Sequence, residues 1–81
     1  MEHYFVYIIF SKVSGKYYTG QTFDLENRLS LHNSARVKSI KSAIPWELIH
    51  FEKLENRSEA MILELKIKKR GAKRYLLDIS N

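Results

Sequence analysis

The apolar run Phe5-Val6-Tyr7-Ile8-Ile9, broken by Ser14-Gly15 and followed by Lys16-Tyr17-Tyr18-Thr19-Gly20, is the stretch that most restricts how this chain can fold. Two β-prone runs joined across a glycine-containing turn read as a β-hairpin over residues 4–10 and 16–20. In an antiparallel hairpin, side chains of like face stand opposite one another, so Tyr7 and Tyr18 can bring both hydroxyls to one spot. Aromatic pairs across strands also stabilise sheets with no chemistry attached. The hairpin alone leaves both readings open.

Downstream the pattern changes period. Thr22 and Asp24 are both N-cap residue types ahead of a helix over about Leu25 to Asn33. Leu25 and Leu29 share one face of it, while Arg28 and His32, four apart, lie one above the other at the border between that face and solvent. Residues 34–45 show no clean period and read as a basic loop stopped by Pro45. Trp46 to Leu54 has the composition of a third strand. Asn56-x-x-Glu59 resembles a capping box opening a second helix, which runs to about Arg70 with Gly71 as the expected stop. A final short helix, about Ala72 to Asp78, is expected to pack Leu76, Leu77 and Ile79 onto the domain. The order ββαβαα predicts an α/β (α+β) layered fold on a small mixed or antiparallel sheet, as one domain over residues 1–81.

The second helix carries a local anomaly. Ala60, Met61, Leu63, Leu65 and Ile67 span a broad apolar arc, and Glu64 falls near its middle, with Glu59, Lys66, Lys69 and Arg70 elsewhere. Burying a lone carboxylate costs several kcal/mol unless it is paired or binds a cation. Glu64 therefore needs a partner: a salt bridge to Arg28 or Lys68, a hydrogen-bond network, or a metal ion.

Charge narrows the function classes. Fourteen Lys and Arg against nine Asp and Glu give a formal net charge of +5, which favours encounter with polyanions, nucleic acid first. The basic residues cluster as Lys66, Lys68, Lys69, Arg70, Lys73 and Arg74, with Arg36, Lys38 and Lys41 in the middle segment. The acidic ones gather around Asp24–Glu26 and Glu47–Glu59, so the segregation points to a phosphate-facing side. With no cysteine, disulfide scaffolds and Cys-rich zinc sites are excluded. No stretch approaches the roughly twenty apolar residues of a membrane helix, and the first residues lack a signal-peptide pattern, so a cytoplasmic location without membrane contact is the expectation.

The three histidines, at 3, 32 and 50, do not fall at metal-ligand spacing, and the three glycines form no phosphate loop. Two tyrosines on a hairpin, Arg28 with His32 on a helix, Glu64 and basic flanks make an inventory suited to phosphodiester hydrolysis. There a polarised water attacks phosphorus, an arginine neutralises developing charge, and a carboxylate holds a divalent ion on the phosphate oxygens.

In this order the residues become familiar. Phe5-Val6-Tyr7 and, ten residues on, Tyr18-Thr19-Gly20 resemble the two motifs of the GIY-YIG nuclease superfamily. Gln21-Thr22, Asp24 to Leu29 and His32-Asn33 look like its first-helix pattern. Pro45 to Leu48 and Phe51-Glu52 resemble its third strand, and Ser58-Glu59-Ala60 with Glu64 and Ile67-Lys68 is similar to its glutamate segment. The resemblance covers roughly Tyr4 to Leu77 and is strongest to the small single-domain bacterial members, the excinuclease-like family of endonucleases. It implies a three-stranded antiparallel sheet flanked by helices. It also implies endonucleolytic cleavage of DNA with one divalent metal ion, Mg2+ or Mn2+; the functional expectation built on it is an endonuclease directed by structure or damage, in repair or recombination.

Carried over by position, Tyr7 and Tyr18 match the motif tyrosines, one of which helps to deprotonate the attacking water. Gly20 matches the motif glycine, where a side chain would crowd the site. Arg28 matches the arginine at the scissile phosphate, His32 a histidine near the nucleophile, and Glu64 the metal-ligating glutamate. Phe5 replaces the motif glycine and Thr19 the isoleucine, as in other small bacterial members. The further asparagine of several superfamily nucleases has no match, since that stretch offers Lys73, Arg74 and Tyr75, with Asn81 only at the end. Superfamily enzymes commonly carry a separate DNA-targeting domain; the expectation here is either weak binding without sequence preference, or targeting by a partner protein or by the nucleic-acid structure itself. Two other readings use the same residues: a non-catalytic nucleic-acid-binding module on this scaffold, and a basic protein-interaction domain.

Overall fold

The computed structural model describes residues 3–34 and 43–80, and the elements follow in the expected order. They are β1 (Tyr4–Ser11), β2 (Lys16–Thr22), α1 (Leu25–His32), β3 (Trp46–Leu54), α2 (Arg57–Arg70) and α3 (Ala72–Ile79). The strands form one antiparallel sheet in the order β2-β1-β3. The hairpin turn closes on the Gly15 N–H, which donates to the Ser11 carbonyl at 2.7 Å, with Gly15 at φ 71°. That conformation lies in the region that glycine enters without steric cost.

The central strand explains its own composition. Val6 and Ile8 face α2 and α3, packing with Ala60, Ile67 and Tyr75; Tyr7 and Ile9 face α1, packing with Trp46, Leu25 and Leu29. A strand covered on both faces needs a continuous apolar run instead of alternation, and Val6 to Ile9 is all buried. Asp24 caps α1, accepting from the Asn27 N–H at 3.1 Å; Thr22 does not cap the helix but accepts from the Asp24 N–H. Beyond α1, the Asn33 side chain donates to the Trp46 carbonyl and accepts from the Trp46 N–H, fastening the helix end to the start of β3.

Asn56 caps α2 through the Glu59 N–H at 2.9 Å, while the Glu59 carboxylate reaches the Glu55 N–H instead of closing the box on Asn56 itself. Gly71, at φ 93°, ends α2 and opens α3. Two expectations need correction. Met61 and Leu65 are 48% and 63% exposed, because only the stripe Ala60, Leu63, Glu64 and Ile67 meets the sheet, and Glu64 lies at one edge of that stripe. In α3, Leu76 packs on the core but Leu77 and Ile79 are exposed, since an eight-residue helix buries one narrow face around Tyr75.

Candidate active site

Tyr7 pairs with Gly20 and Ile9 with Tyr18, so the two tyrosines are diagonal neighbours on the α1 face, their rings 6.5 Å apart. Gly20 is obligatory for this packing. A Cβ there would meet the Tyr7 hydroxyl oxygen at 2.5 Å and Cζ at 2.8 Å. The absent side chain is the space that the Tyr7 ring occupies.

From α1, His32 closes the cluster. It is buried, its Nε2 lies 2.9 Å from the Tyr7 hydroxyl, and its ring meets that of Tyr18 edge-on at 4.8 Å. Its Nδ1 is buried without a hydrogen-bond partner among the described residues. Burial, followed by the charge of Arg28, holds the imidazole below its ordinary pKa, so the ring stays neutral near pH 7. One turn earlier, Arg28 is exposed at the rim.

Burial dominates at Tyr7, pushing the phenol well above its ordinary value. Tyr18 and Glu64 add to the rise, and Arg28 opposes it by charge and hydrogen bonding. The phenol therefore keeps its proton at neutral pH. Tyr18, Arg28 and Glu64, from three other elements, all act on this one hydroxyl.

Glu64 arrives from the opposite layer. Gln21, on the edge strand β2, faces α2 and donates its amide to Glu64 Oε1 at 2.9 Å. The Lys68 ammonium lies 2.7 Å from Oε2, and the Glu64 side chain is only 16% exposed. The salt-bridge alternative for Glu64 is thus realised through Lys68, one helical turn along, together with an amide contact that the sequence reading missed. The signal for Gln21 is modest: a polar residue beside the motif glycine whose strand parity points it at α2.

A single carboxylate can hold magnesium or manganese when water and substrate phosphate complete the shell, which is how such ions are commonly bound. Among the described residues no group of three or more His, Asp or Glu could hold an ion unaided. An ion held by Glu64 would draw the rest of its shell from water and substrate phosphate.

Among the described residues, the basic side chains line separate grooves. Lys68 lines a cleft of about 300 Å³ with Tyr17, Tyr18, Thr19 and Ala72, and Lys73 borders the next groove, with Tyr17 and His50. Lys66, Lys69 and Arg70 line a separate groove with Tyr75 and Asp78, where Arg70 is ion-paired to Asp78 and Arg74 acts on the same carboxylate. Lys38 and Lys41 lie outside the described residues. No helix among the described residues is long and apolar enough to cross a membrane.

Comparison with known proteins converges with this geometry. The model of the GIY-YIG catalytic domain matches residues 3–76. A UPF0213 protein of Listeria welshimeri is 40% identical over 81 residues, covering 95% of this chain and 88% of its own. A UPF0213 protein of Streptococcus pneumoniae is 35% identical over 80 residues, covering 95% and 81%. Among solved structures, the solution NMR structure of a UPF0213 protein from Bacillus halodurans superimposes with a TM-score of 0.59 at 28% identity, over 96% of this chain and 83% of that one. The paired motif tyrosines, the glycine beneath Tyr7 and the match over nearly the whole length lead to one conclusion: the chain belongs to the GIY-YIG family, a superfamily of nucleases.

Proposed function

We propose that this protein is a metal-dependent endonuclease that hydrolyses DNA phosphodiester bonds at the edge of β2. The observation that carries the reading is the convergence on the Tyr7 hydroxyl of His32 by hydrogen bond and of Tyr18, Arg28 and Glu64 by charge. A buried phenol and imidazole with polar groups of several elements around them fit a site better than a core.

In this reading Glu64 would hold a divalent ion, which would supply positive charge to the phosphate oxygens. Arg28, at the rim, takes a further phosphate oxygen. A Tyr7 phenol that holds its proton is a poor standing base, but with a neutral imidazole behind it the hydroxyl can relay. It accepts the proton of the attacking water as it passes its own to His32 Nε2. Tyr18 shields the imidazole edge and presents its hydroxyl beside the same spot. The substrate is DNA with an interrupted or branched backbone, its structure supplying the targeting.

The test is cleavage of nicked, flapped, branched and single-stranded DNA by the purified chain with Mg2+ or Mn2+. Cleavage that Glu64→Gln and Arg28→Ala each reduce by about 10²-fold or more is expected. No cleavage of any substrate, or cleavage indifferent to Glu64→Gln, would sink it. The ion pair between Lys68 and Glu64 favours a second reading, a nucleic-acid-binding module without catalysis. That module would bind DNA without metal, with a steep salt dependence, and would tolerate Arg28→Ala.

A further inference from the structure

The two donors on Glu64 differ in kind. Gln21 is fixed on a strand, partly buried, and its own Oε1 is buried without a partner among the described residues. With Nε2 on a carboxylate oxygen, its amide has one sensible orientation. Lys68 is a compact charge on a flexible stem, 53% exposed, within one helical turn of Glu64. Of the two, only Lys68 can leave without disturbing the sheet.

A cation on Oε2 and an ammonium 2.7 Å from the same oxygen compete for one charge. Lys68 has somewhere to go, because it already lines the cleft formed with Tyr17, Tyr18, Thr19 and Ala72. From these observations, and resting on the reading that Glu64 takes up a divalent cation, we propose that Lys68 is an exchangeable counter-ion. It neutralises Glu64 in the resting site and is released to a phosphate of the bound strand when Glu64 is neutralised by metal.

Three consequences separate this from an ordinary surface ion pair. Lys68 weakens metal binding to the free protein. Metal and strand bind cooperatively, each strengthening the other by the same factor. Gln21 stays on Glu64 in both states, so the carboxylate keeps its aim while its counter-ion changes.

The experiment uses the full chain and Mn2+ alone, with free Mn2+ read by electron paramagnetic resonance in the absence of nucleic acid. Lys68→Met is expected to bind Mn2+ about five-fold more tightly than wild type, the worth of a charge-assisted pair on a partly buried carboxylate. Lys69→Met, which removes the same charge from the same helix without touching Glu64, is expected to leave the affinity within about two-fold. In a second arm, the affinity for a short oligothymidylate is read by fluorescence anisotropy with and without Mn2+, before cleavage develops. The gain on adding Mn2+ should be present in wild type and smaller in Lys68→Met, where only the phosphate that the ion itself takes still links metal and strand.

Equal or weaker Mn2+ binding in Lys68→Met, or an unchanged gain in oligonucleotide affinity, overturns the exchange while leaving Glu64 as the metal ligand. Absence of Mn2+ binding in every variant, or binding that Glu64→Gln does not weaken, overturns the metal role of Glu64, and the exchange falls with it.

Discussion

The contact between Gly20 and Tyr7 joins stability and chemistry in two residues. A methyl at position 20 must displace a ring atom that it would otherwise approach at 2.8 Å and an oxygen at 2.5 Å. Gly20→Ala should therefore cost about 1–3 kcal/mol, the usual range for overpacking, and also misplace the hydroxyl. Tyr7→Phe removes the nearest atom, so the same Gly20→Ala change should cost measurably less in that background. Urea denaturation of the four proteins gives the coupling, and equal costs in both backgrounds would mean that the ring is not where the structure puts it. The chemical counterpart is that Tyr7→Phe keeps the fold but lowers cleavage by about 10²-fold, the typical worth of a positioned proton-transfer group. The two motif tyrosines are visible in the sequence because strand parity alone puts them on one face. The pairing of Tyr7 with His32 is not, because it joins residues 25 apart and depends on how closely α1 sits on the sheet.

At the scale of elements, local chemistry explains what is readable and what is not. Asn56, Glu59 and Gly71 mark the ends of α2 because caps satisfy backbone groups within a few residues. Asn56→Ala should cost about 1 kcal/mol, and Ile67→Ala, buried between α2 and β1, about 2–5 kcal/mol, both read by thermal or urea unfolding. These substitutions also differ functionally. Loss of the cap frays the first turn, two turns before Glu64, so cleavage by the folded protein should be little changed. Loss of Ile67 opens the stripe on which Glu64 sits and should lower cleavage as well as stability. What local pattern conceals is the width of the buried stripe: Met61 and Leu65 fit an apolar arc, but the sheet meets only Ala60, Leu63, Glu64 and Ile67. The helical wheel leaves that width open. It is set by a non-local neighbour, and for the same reason the Gln21 amide on Glu64 is absent from any local reading.

Across the whole molecule, the titratable groups that hold the layers together define a pH window for folding. His32, below its ordinary 6.5 through burial and then Arg28, lets the unfolded chain take a proton first, so stability falls as the pH drops below about 6.5. Glu52 joins β3 to α3. Burial alone would raise its carboxyl, but hydrogen bonds from His50 and Tyr75 outweigh that and hold it below the ordinary 4.5. Its contribution is present above pH 4.5 and is lost as the pH falls through the lowered value. On the alkaline side the sign reverses. Tyr75 is pushed from 10.0 up to about 12 by burial and by Glu52, and Tyr7 is raised too. Above pH 10 the unfolded chain therefore loses protons that the native state keeps, and stability declines. Urea midpoints measured from pH 4 to 11 should show a plateau between about 6.5 and 10 with a fall on either side. Tyr75→Phe should shrink the alkaline fall and leave the slope just below pH 6.5 intact, whereas His32→Gln should flatten that slope and leave the alkaline fall. A slope below pH 6.5 that persists in His32→Gln would place the titrating group elsewhere and remove the support for a neutral imidazole behind Tyr7.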